Sequence, residues 1–409
     1  MRVVAASVIF CAAAASAAVG VARFNGTSEE RKTVRESIDA NVLKPALREV
    51  TDQRVRSLDV PRGFKVNVFA TELQSPRMMV LSPDGSIYVT RRDQGDVLRL
   101  VDADGDGVAE RTDKAVELKD VHDLAFRGDK VFLVTIKEIY SAALDGEGRF
   151  TGLTKVVSDL PDGGQHPNRT LKFGSDGWLY VTVGSTCNAC KETSPESATV
   201  VRMREDGSER SVFAHGLRNT IGFDFHPQTG EIWGMDHGMD WLGNERPREE
   251  LNRIVEGGHY GWPWILEDGL VNFTDEWPRD MKMSRDEFAK TVKYPSLTYT
   301  AHAAPIGFAF YRGEMFPERY RDGAFVAFRG SWNRAPARGY EVAFARFENG
   351  EPVRFEKFLT GFLVDGGRAQ FGRPTGLVVA KDGSLLVAED VNGTIYRVSY
   401  PRDQARQER

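Results

Sequence analysis

A pattern of two short β-strands recurs six times along this chain and constrains its fold more than any other feature. Each copy has an apolar strand, a turn that often contains Asp-Gly, and a second strand rich in aromatic and β-branched residues. The copies cover residues 78–90, 124–135, 171–182, 223–235, 308–328 and 377–389. Most spacings are close to the roughly 40–50 residues of a propeller blade. The sequence therefore predicts an all-β fold, a six-bladed β-propeller.

The two ends of the repeat region indicate how such a ring closes. Residues 64–69 alternate in polarity ahead of the first copy, and the last copy ends in a third strand near Val398. We expect the N-terminal strand to become the outer strand of the last blade, which leaves only short sheet edges. Residues 236–300 interrupt the repeat and predict a long insertion between blades four and five, where function is often found.

The N-terminus has the pattern of an export signal. Residues 1–22 combine a positive start, an alanine-rich apolar run and small residues at positions 15–17, which is typical of a signal peptide. An uncleaved N-terminal anchor is the alternative, although the apolar run is at or below the length that spans a membrane. The sequence thus predicts a periplasmic or secreted protein.

The remaining segments outside the repeats are polar. Residues 23–60 show helical spacing in Val34, Ile38 and Val42 and predict a helical arm or linker without functional residues, whereas residues 61–400 form the propeller and residues 401–409 a tail. The net charge of −5 and the isoelectric point near 5.9 leave no broad basic surface. Nucleic acid is therefore not an expected partner.

Cys187 and Cys190 are the two cysteines that follow the signal, and they are spaced C-N-A-C in a loop. Outside the cytoplasm this pair predicts a local disulfide. A c-type haem would require His at Lys191, a zinc site would require a second ligand pair, and a thioredoxin-like redox motif would require a βαβ pattern.

Residues 102–113 have the spacing of a calcium-binding loop. Carboxylates occupy positions one, three, five, nine and twelve, and Gly107 occupies the turn position. The candidate ligands are Asp102, Asp104, Asp106 and Asp113. The alternative is an acidic hairpin tip without an ion, because the loop lies between strands rather than helices.

A second candidate cation site lies at the start of the insertion. Residues 235–252 are acidic and contain glycine, and residues 257–263 continue as G-G-H-Y-G-W-P. Carboxylates and main-chain carbonyls in such a loop suit a hard cation. A solvated acidic loop capped by aromatic packing explains the same residues.

Basic residues and one histidine recur near the ends of blade strands. His166 and Arg169 precede the strand at residues 170–173, and Arg218-Asn219, Arg329 and Arg373 stand near strand ends in later blades. A propeller could bring the arginines around one axis, where guanidinium groups bind carboxylates. For any one arginine, an ordinary surface ion pair is the alternative.

These motifs, taken in order, resemble a known family. The His166 stretch, H-G-L-R-N at 215–219, E-E-L-N at 249–252 with G-G-H-Y-G-W-P, H-A-A-P-I-G at 302–307 and G-R-P-T-G-L at 372–377 are similar to those of the soluble pyrroloquinoline quinone (PQQ)-dependent sugar dehydrogenases. The sorbosone or aldose sugar dehydrogenase branch is the most similar. The resemblance covers residues 61–400.

The resemblance implies a set of roles. His166 and Arg218 would be the catalytic residues, with His166 as the general base, and PQQ would be held by Arg218, Asn219, Arg329 and Arg373. Arg169 is also expected to bind the cofactor. Calcium would be bound by the main-chain carbonyls of Gly238 and Met239, and a structural calcium by Glu249 and Glu250. His122 and His302 are possible pocket residues without an assigned role.

The predicted function is PQQ- and calcium-dependent oxidation of an aldose or aldehyde-type sugar. Electrons would leave to an external cytochrome or quinone, because the chain has no haem motif. A calcium-dependent lactonase is one alternative and would not need three axial arginines. A non-catalytic binding propeller is the other, since a fold alone does not determine function.

Overall fold

Six sheets contain most of the strands in a computed structural model that describes residues 33–34, 41–272, 277–279 and 281–401, and every strand pair in them is antiparallel except that of Ser211–His215 with Gly258–His259. The predicted signal peptide, Ile38 of the arm and most of the predicted tail lie outside the described residues. Within them, no helix is both long and apolar enough to cross a membrane.

Three of the large sheets take most of their strands from the first half of the chain. Its elements, in chain order, are β1 (Thr33–Val34), β2 (Ala46–Leu47), α1 (Asp52–Arg56), β3 (Lys65–Ala70), β4 (Met79–Leu81), β5 (Ile87–Arg91), β6 (Asp96–Val101), β7 (Arg111–Glu117), β8 (Asp123–Arg127), β9 (Lys130–Val134), β10 (Ile139–Leu144), β11 (Phe150–Val157), β12 (Leu171–Phe173), β13 (Leu179–Val183), β14 (Thr199–Met203) and β15 (Ser211–His215).

The second half of the chain continues the same way. It contains β16 (Thr220–Phe225), β17 (Ile232–Asp236), β18 (Glu249–Ile254), β19 (Gly258–His259), β20 (Ile265–Leu266), β21 (Leu270–Asn272), α2 (Arg285–Ala289), β22 (Leu297–Tyr299), β23 (Pro305–Phe310), β24 (Ala324–Phe328), β25 (Glu341–Glu348), β26 (Glu351–Leu359), β27 (Leu363–Val364), β28 (Ala369–Gln370), β29 (Pro374–Val379), β30 (Leu385–Glu389) and β31 (Thr394–Ser399), with 3₁₀ turns at Glu318–Tyr320 and Asp365–Gly367.

Each large sheet has a core of at least three consecutive strands. The strand orders are β4-β5-β6-β7, β8 to β11, β12 to β15 with β19 added, β16-β17-β18-β22, β23 to β26, and β29-β30-β31-β3. β3 pairs antiparallel with β31 along the outer edge of the last sheet. The expected closure by the N-terminal strand is therefore confirmed.

The hairpin turns follow from the Asp-Gly chemistry of the repeat. Gly85, Gly177 and Gly383 adopt positive φ values of 95°, 84° and 89°, which glycine tolerates without steric cost. The aspartate before each glycine accepts a hydrogen bond from the main-chain N–H two residues further on. One local motif thus sets the register of three sheets.

The first strands of neighbouring sheets approach closely around a central channel. A Cβ atom at Gly222, Gly307 or Gly376 would lie 2.5, 2.3 or 2.4 Å from a carbonyl oxygen of the adjacent segment. Glycine is required at these positions because a side chain would separate the sheets. A channel cavity of about 440 Å³ opens between these strands, and Lys172, Asp224 and Arg312 line it.

Two predicted boundaries differ from the structure. Residues 236–300 do not form an insertion between sheets, since β18 and β22 within them are the third and fourth strands of the fourth sheet. The residues beyond the four strands of this sheet form a loop at 237–248 and a longer connection between β18 and β22, whose described part contains β19, β20, β21 and α2. In the described part of the arm, the only helix is the five-residue α1, and β1 and β2 pair in parallel with β21 and β28. These pairings are long-range, so helical spacing alone did not reveal them.

Phe64 connects the segment before β3 to the fifth and sixth sheets. Its ring lies 4.7 Å from Phe316, 5.3 Å from Tyr320, 5.1 Å from Phe358 and 5.0 Å from Tyr400, in edge-to-face contacts. Such contacts combine apolar burial with favourable ring geometry. Phe64 therefore fixes the entry of the closing strand.

We predict that Phe64→Ala lowers the free energy of unfolding by about 3–5 kcal/mol, because the cavity left among four rings cannot collapse. Equilibrium denaturation with urea measures the loss. Val353→Ala, at an exposed position of β26, serves as the control and should change stability by less than about 0.5 kcal/mol. Equal effects of the two variants would contradict the role of Phe64.

Candidate active site

Residues far apart in sequence meet at one end of the channel. His166, Arg218 and Arg373 precede the first strands β12, β16 and β29, and Arg329 follows the second strand β24. The starts of first strands and the ends of antiparallel second strands lie at the same end of their sheets. This end is called the arginine end below.

His166 is held in one orientation by Ser185. Its Nδ1 lies 2.9 Å from the Ser185 carbonyl oxygen and 2.8 Å from Ser185 Oγ, and that hydroxyl donates to the Cys187 carbonyl. Both Ser185 oxygens therefore accept from Nδ1–H, which leaves Nε2 as an acceptor. Burial, together with the charge of Arg218, lowers the pKa of His166 to about 3. The imidazole is neutral across the physiological range.

Arg218 is fixed by the disulfide loop. Its Nε and Nη2 donate to the carbonyl and side-chain oxygens of Asn188, each at 2.9 Å, and its side chain is only 4% exposed. Asn188 lies inside the loop closed by the Cys187–Cys190 disulfide, which confirms that predicted bond. The disulfide loop thus positions a cation beside His166.

Asp236 organises the turn that carries Arg218 and Asn219. Its carboxylate accepts from both main-chain N–H groups, each at 2.8 Å, and from the Thr220 hydroxyl at 2.9 Å. Burial raises its pKa to about 6. Asn219 Oδ1, in contrast, is buried without a hydrogen-bond partner among the described residues.

A second group of arginines surrounds Asp390. Arg329 Nε and Arg77 Nη1 donate to Asp390 Oδ2 at 2.8 and 2.9 Å. Arg373 donates to the carbonyls of Arg329 and Gly330 at 3.0 and 2.6 Å. Burial lowers the pKa of Arg77 to about 10 and also lowers that of Arg373, so these cations lie where negative charge would be stabilised.

Electrostatic coupling shows that the two arginine groups share one space. Arg218 and Arg77 both lower the pKa of buried His237, after burial itself. Arg218 acts in the same way on His166, and Arg329 on Arg77 and Arg373. His166, Arg218, Asn219, Arg329 and Arg373 therefore lie at the same end of the channel.

Arg169 differs from the prediction. It is fully buried, and its guanidinium donates to the main-chain carbonyls of His166, Asn168 and Pro161 at 2.8, 3.1 and 3.2 Å. A side chain committed to the main chain in this way cannot reach a bound molecule. Arg169 instead supports the loop of His166, and its own carbonyl contacts His122 Nδ1 at 2.7 Å.

The residues that the sequence predicted to bind cations lie in separate parts of the structure. Both oxygens of Glu249 accept main-chain N–H groups, from Gly238 and Ala304, each at 2.9 Å. Glu250 accepts from the Glu267 N–H at 2.8 Å and the Asn252 amide at 3.2 Å. Burial raises the pKa of each glutamate to about 8. Glu249 therefore positions the Gly238-Met239 turn through a hydrogen bond.

The predicted calcium loop joins β6 to β7, at the end of the sheet opposite to the arginine end. Ligand atoms of Asp102, Asp104, Asp106 and Glu110 lie within 4.8 Å of one another. Asp113 is outside this group, because it lies in β7 and pairs with Arg111 at 2.6 Å. Glu110, at position nine, belongs to the group, and its carboxylate accepts the Ala103 main-chain N–H at 2.7 Å.

Comparison with known proteins identifies the family. A family model described as Glucose / Sorbosone dehydrogenase matches residues 124–331, which is half of the chain. The chain belongs to the glucose/sorbosone dehydrogenase family. A second model, described as TrAA12-like, matches residues 270–401.

Individual relatives agree with the family. An uncharacterized protein of Borreliella burgdorferi is 29% identical over 359 residues, covering 85% of this chain and 92% of its own length. A pyrroloquinoline quinone-dependent sugar dehydrogenase of Hypocrea jecorina is 24% identical, covering 83% of this chain and 89% of its own.

Solved structures share the fold of this family member. The calcium structure of a Trichoderma reesei Carbohydrate-Active Enzymes Family AA12 protein has a TM-score of 0.73 at 20% identity, covering 84% of this chain and 97% of that one. The PQQ domain of pyranose dehydrogenase from Coprinopsis cinerea, in its holo form, has a TM-score of 0.71 at 19% identity and the same coverage.

Several site residues of this family member were missed in the sequence. Arg77 stands two residues before β4, as Arg218 stands two residues before β16. Asp390 follows β30 directly, as Arg329 follows β24. Alignment of the repeats on their strand ends would have revealed both. Ser185 and Asn188 carry no comparable signal, because their roles depend on loop geometry.

We predict that Gly184→Ala displaces the imidazole of His166. An added Cβ would lie 2.8 Å from His166 Cβ and 2.9 Å from Asn219 Oδ1, closer than atoms of a packed interior approach, so the ring must shift. Crystal structures of both proteins measure the shift, and thermal unfolding should show a lower Tm. Gly146→Ala is the control, since Gly146 is exposed with no atom near its Cβ position. An unchanged ring position in Gly184→Ala would contradict the prediction.

Proposed function

We propose that this protein is a PQQ-dependent sugar dehydrogenase that oxidises an aldose or aldehyde-type sugar at the arginine end of a closed six-bladed propeller. The observation that carries the proposal is that the arginine end holds Arg218 beside a neutral, oriented His166 and also holds Arg329 and Arg373 next to Asp390. Family membership and the names of the quinone-dependent relatives support it.

The residues of the arginine end fit a quinone that carries carboxylates. Arg77, Arg218 and Arg373 are buried cations with lowered pKa values, and anionic groups would offset that cost. Three buried acceptor atoms at the arginine end have no hydrogen-bond partner among the described residues: Asn219 Oδ1, His122 Nε2 and Asp390 Oδ1. These acceptors call for a ligand that also brings hydrogen-bond donors.

Arg218, Asn219, Arg329 and Arg373 would hold the PQQ, and the carbonyls of Gly238 and Met239 a calcium ion. Bound PQQ would supply the two-electron acceptor that takes the substrate hydride. His166 takes the hydroxyl proton at Nε2, because Ser185 engages Nδ1. Arg169 holds the main chain of His166 through a hydrogen bond, and the disulfide loop holds the guanidinium of Arg218, so both groups are fixed before substrate binds.

The proposal also covers the location of the protein, its electron acceptor and the alternative function of a lactonase. The N-terminal signal and the Cys187–Cys190 disulfide support a periplasmic or secreted location. Electrons would pass to an external cytochrome or quinone. A lactonase is less favoured, because the arginine end of the described chain lacks a group of three carboxylates that could hold a catalytic metal.

We predict that His166→Gln lowers kcat by about 10²–10⁴-fold, the usual contribution of a general base, while PQQ binding is retained. The measurement is dye reduction with a panel of aldoses, using calcium-loaded protein reconstituted with PQQ. His215→Gln, at an exposed histidine of β15, is the matched control and should keep full activity. Undiminished turnover in His166→Gln would remove the proposed base, and a wild-type protein inactive on every aldose would overturn the proposed reaction.

A further inference from the structure

A cavity of about 430 Å³ lies between the N-terminal arm and the arginine end. Its lining consists of Lys44, Pro45, Trp332, Tyr340, Gln370 and Arg373. Arg373 belongs both to this cavity and to the proposed cofactor site, so the two spaces adjoin. The volume falls within the roughly 300–1,000 Å³ typical of small-molecule sites.

The arm is fastened to the body at this place. Leu43 N–H donates to the Trp332 carbonyl at 3.1 Å, and Ala46 N–H donates to the Arg368 carbonyl at 2.9 Å. β2 pairs with β28, and Arg48 forms an ion pair with Asp365 at 3.0 Å. The wall formed by Lys44 and Pro45 is therefore a fixed part of the fold.

Gln370 lines the cavity, and its side-chain oxygen lacks a hydrogen-bond donor. Its side chain is buried, with the residue 4% exposed, yet Oε1 has no hydrogen-bond partner among the described residues. A buried amide oxygen without a donor costs free energy. A hydroxyl group of a bound molecule would satisfy it.

The aromatic residues supply apolar surface beside that acceptor. Trp332 is half-buried, and its ring packs edge-on against Trp241 at 5.0 Å, which holds the indole in place. The Tyr340 hydroxyl already donates to the Ser331 carbonyl at 2.7 Å, and its buried ring lies 5.4 Å from the Arg373 guanidinium, so Tyr340 supplies a rigid wall. An indole face, an amide acceptor and the exposed Lys44 ammonium together match a pyranose, which has an apolar C–H face and a rim of hydroxyls.

We propose that this cavity, the arm pocket, binds a second sugar unit, so that the protein acts preferentially on disaccharides or longer saccharides whose first unit lies at His166. The inference rests on the proposed function, since it extends the same site. The expected arrangement places the second unit against Trp332, with a hydroxyl donating to Gln370 Oε1 and Lys44 donating to another oxygen.

The first experiment compares D-glucose with cellobiose and maltose as substrates of the PQQ-loaded protein. We expect kcat/KM for one disaccharide to exceed that for glucose by about tenfold or more, which corresponds to about 1.4 kcal/mol. Trp332→Ala and Gln370→Leu should each remove most of this preference through KM and leave glucose oxidation unchanged. Gln370→Leu keeps the side-chain volume, so it tests the pocket even when Trp332→Ala loosens the arm. Tyr294→Ala, at an exposed ring outside the cavity, is the matched control.

The second experiment does not depend on catalysis. Ligand-observed NMR titration of the cofactor-free protein with the same sugars should show disaccharide binding that both variants weaken. Oxidation of glucose with no disaccharide preference, or with a preference that neither variant changes, would overturn the arm pocket and leave the proposed function standing. Disaccharide binding that depends on Trp332, without oxidation of any sugar, would support the pocket and overturn the proposed function.

Discussion

The pairing of β3 with β31 is the constraint on which the rest of this structure depends. It joins the start of the repeat region to its end, so that the sixth sheet contains strands from both. Residues before β4, after β30 and ahead of β29 then lie at the same end as those of the middle sheets. Arg77, Asp390 and Arg373 meet only because the ring is closed in this way.

Burying several arginines at the arginine end costs free energy that an anionic ligand would offset. Burial lowers the pKa values of Arg77, Arg218 and Arg373, which means that each cation is poorly hydrated. Their partners are main-chain carbonyls, the Asn188 side chain and two carboxylates, Asp390 beside Arg77 and Asp240 at 3.5 Å from Arg218, and these offset the cost only in part. Cations fixed by the fold before a ligand arrives need no rearrangement to bind anionic groups, and this preorganisation favours a polycarboxylate.

Periodic features of this protein could be predicted from its sequence, whereas side-chain orientations could not. The Asp-Gly turns and the disulfide follow local rules, and the closing strand follows from the repeat pattern; all three are confirmed. Arg169 was expected to bind a cofactor from the loop that carries His166, but its side chain turns into the protein. Spacing along a loop does not determine which way a long side chain points. The arm was misjudged for a related reason, since β1 and β2 exist only through partners more than 200 residues away.

The central claim is that the arginine end binds PQQ, and a calorimetric titration tests it most directly. Cofactor-free, calcium-loaded protein is titrated with PQQ, and Arg373→Met is titrated in parallel. We expect one molecule bound per chain, with a Kd of about 1 μM or lower, which corresponds to about −8 kcal/mol, and much weaker binding by the variant. No binding by the wild-type protein at about 100 μM, or equal binding by Arg373→Met, would contradict it.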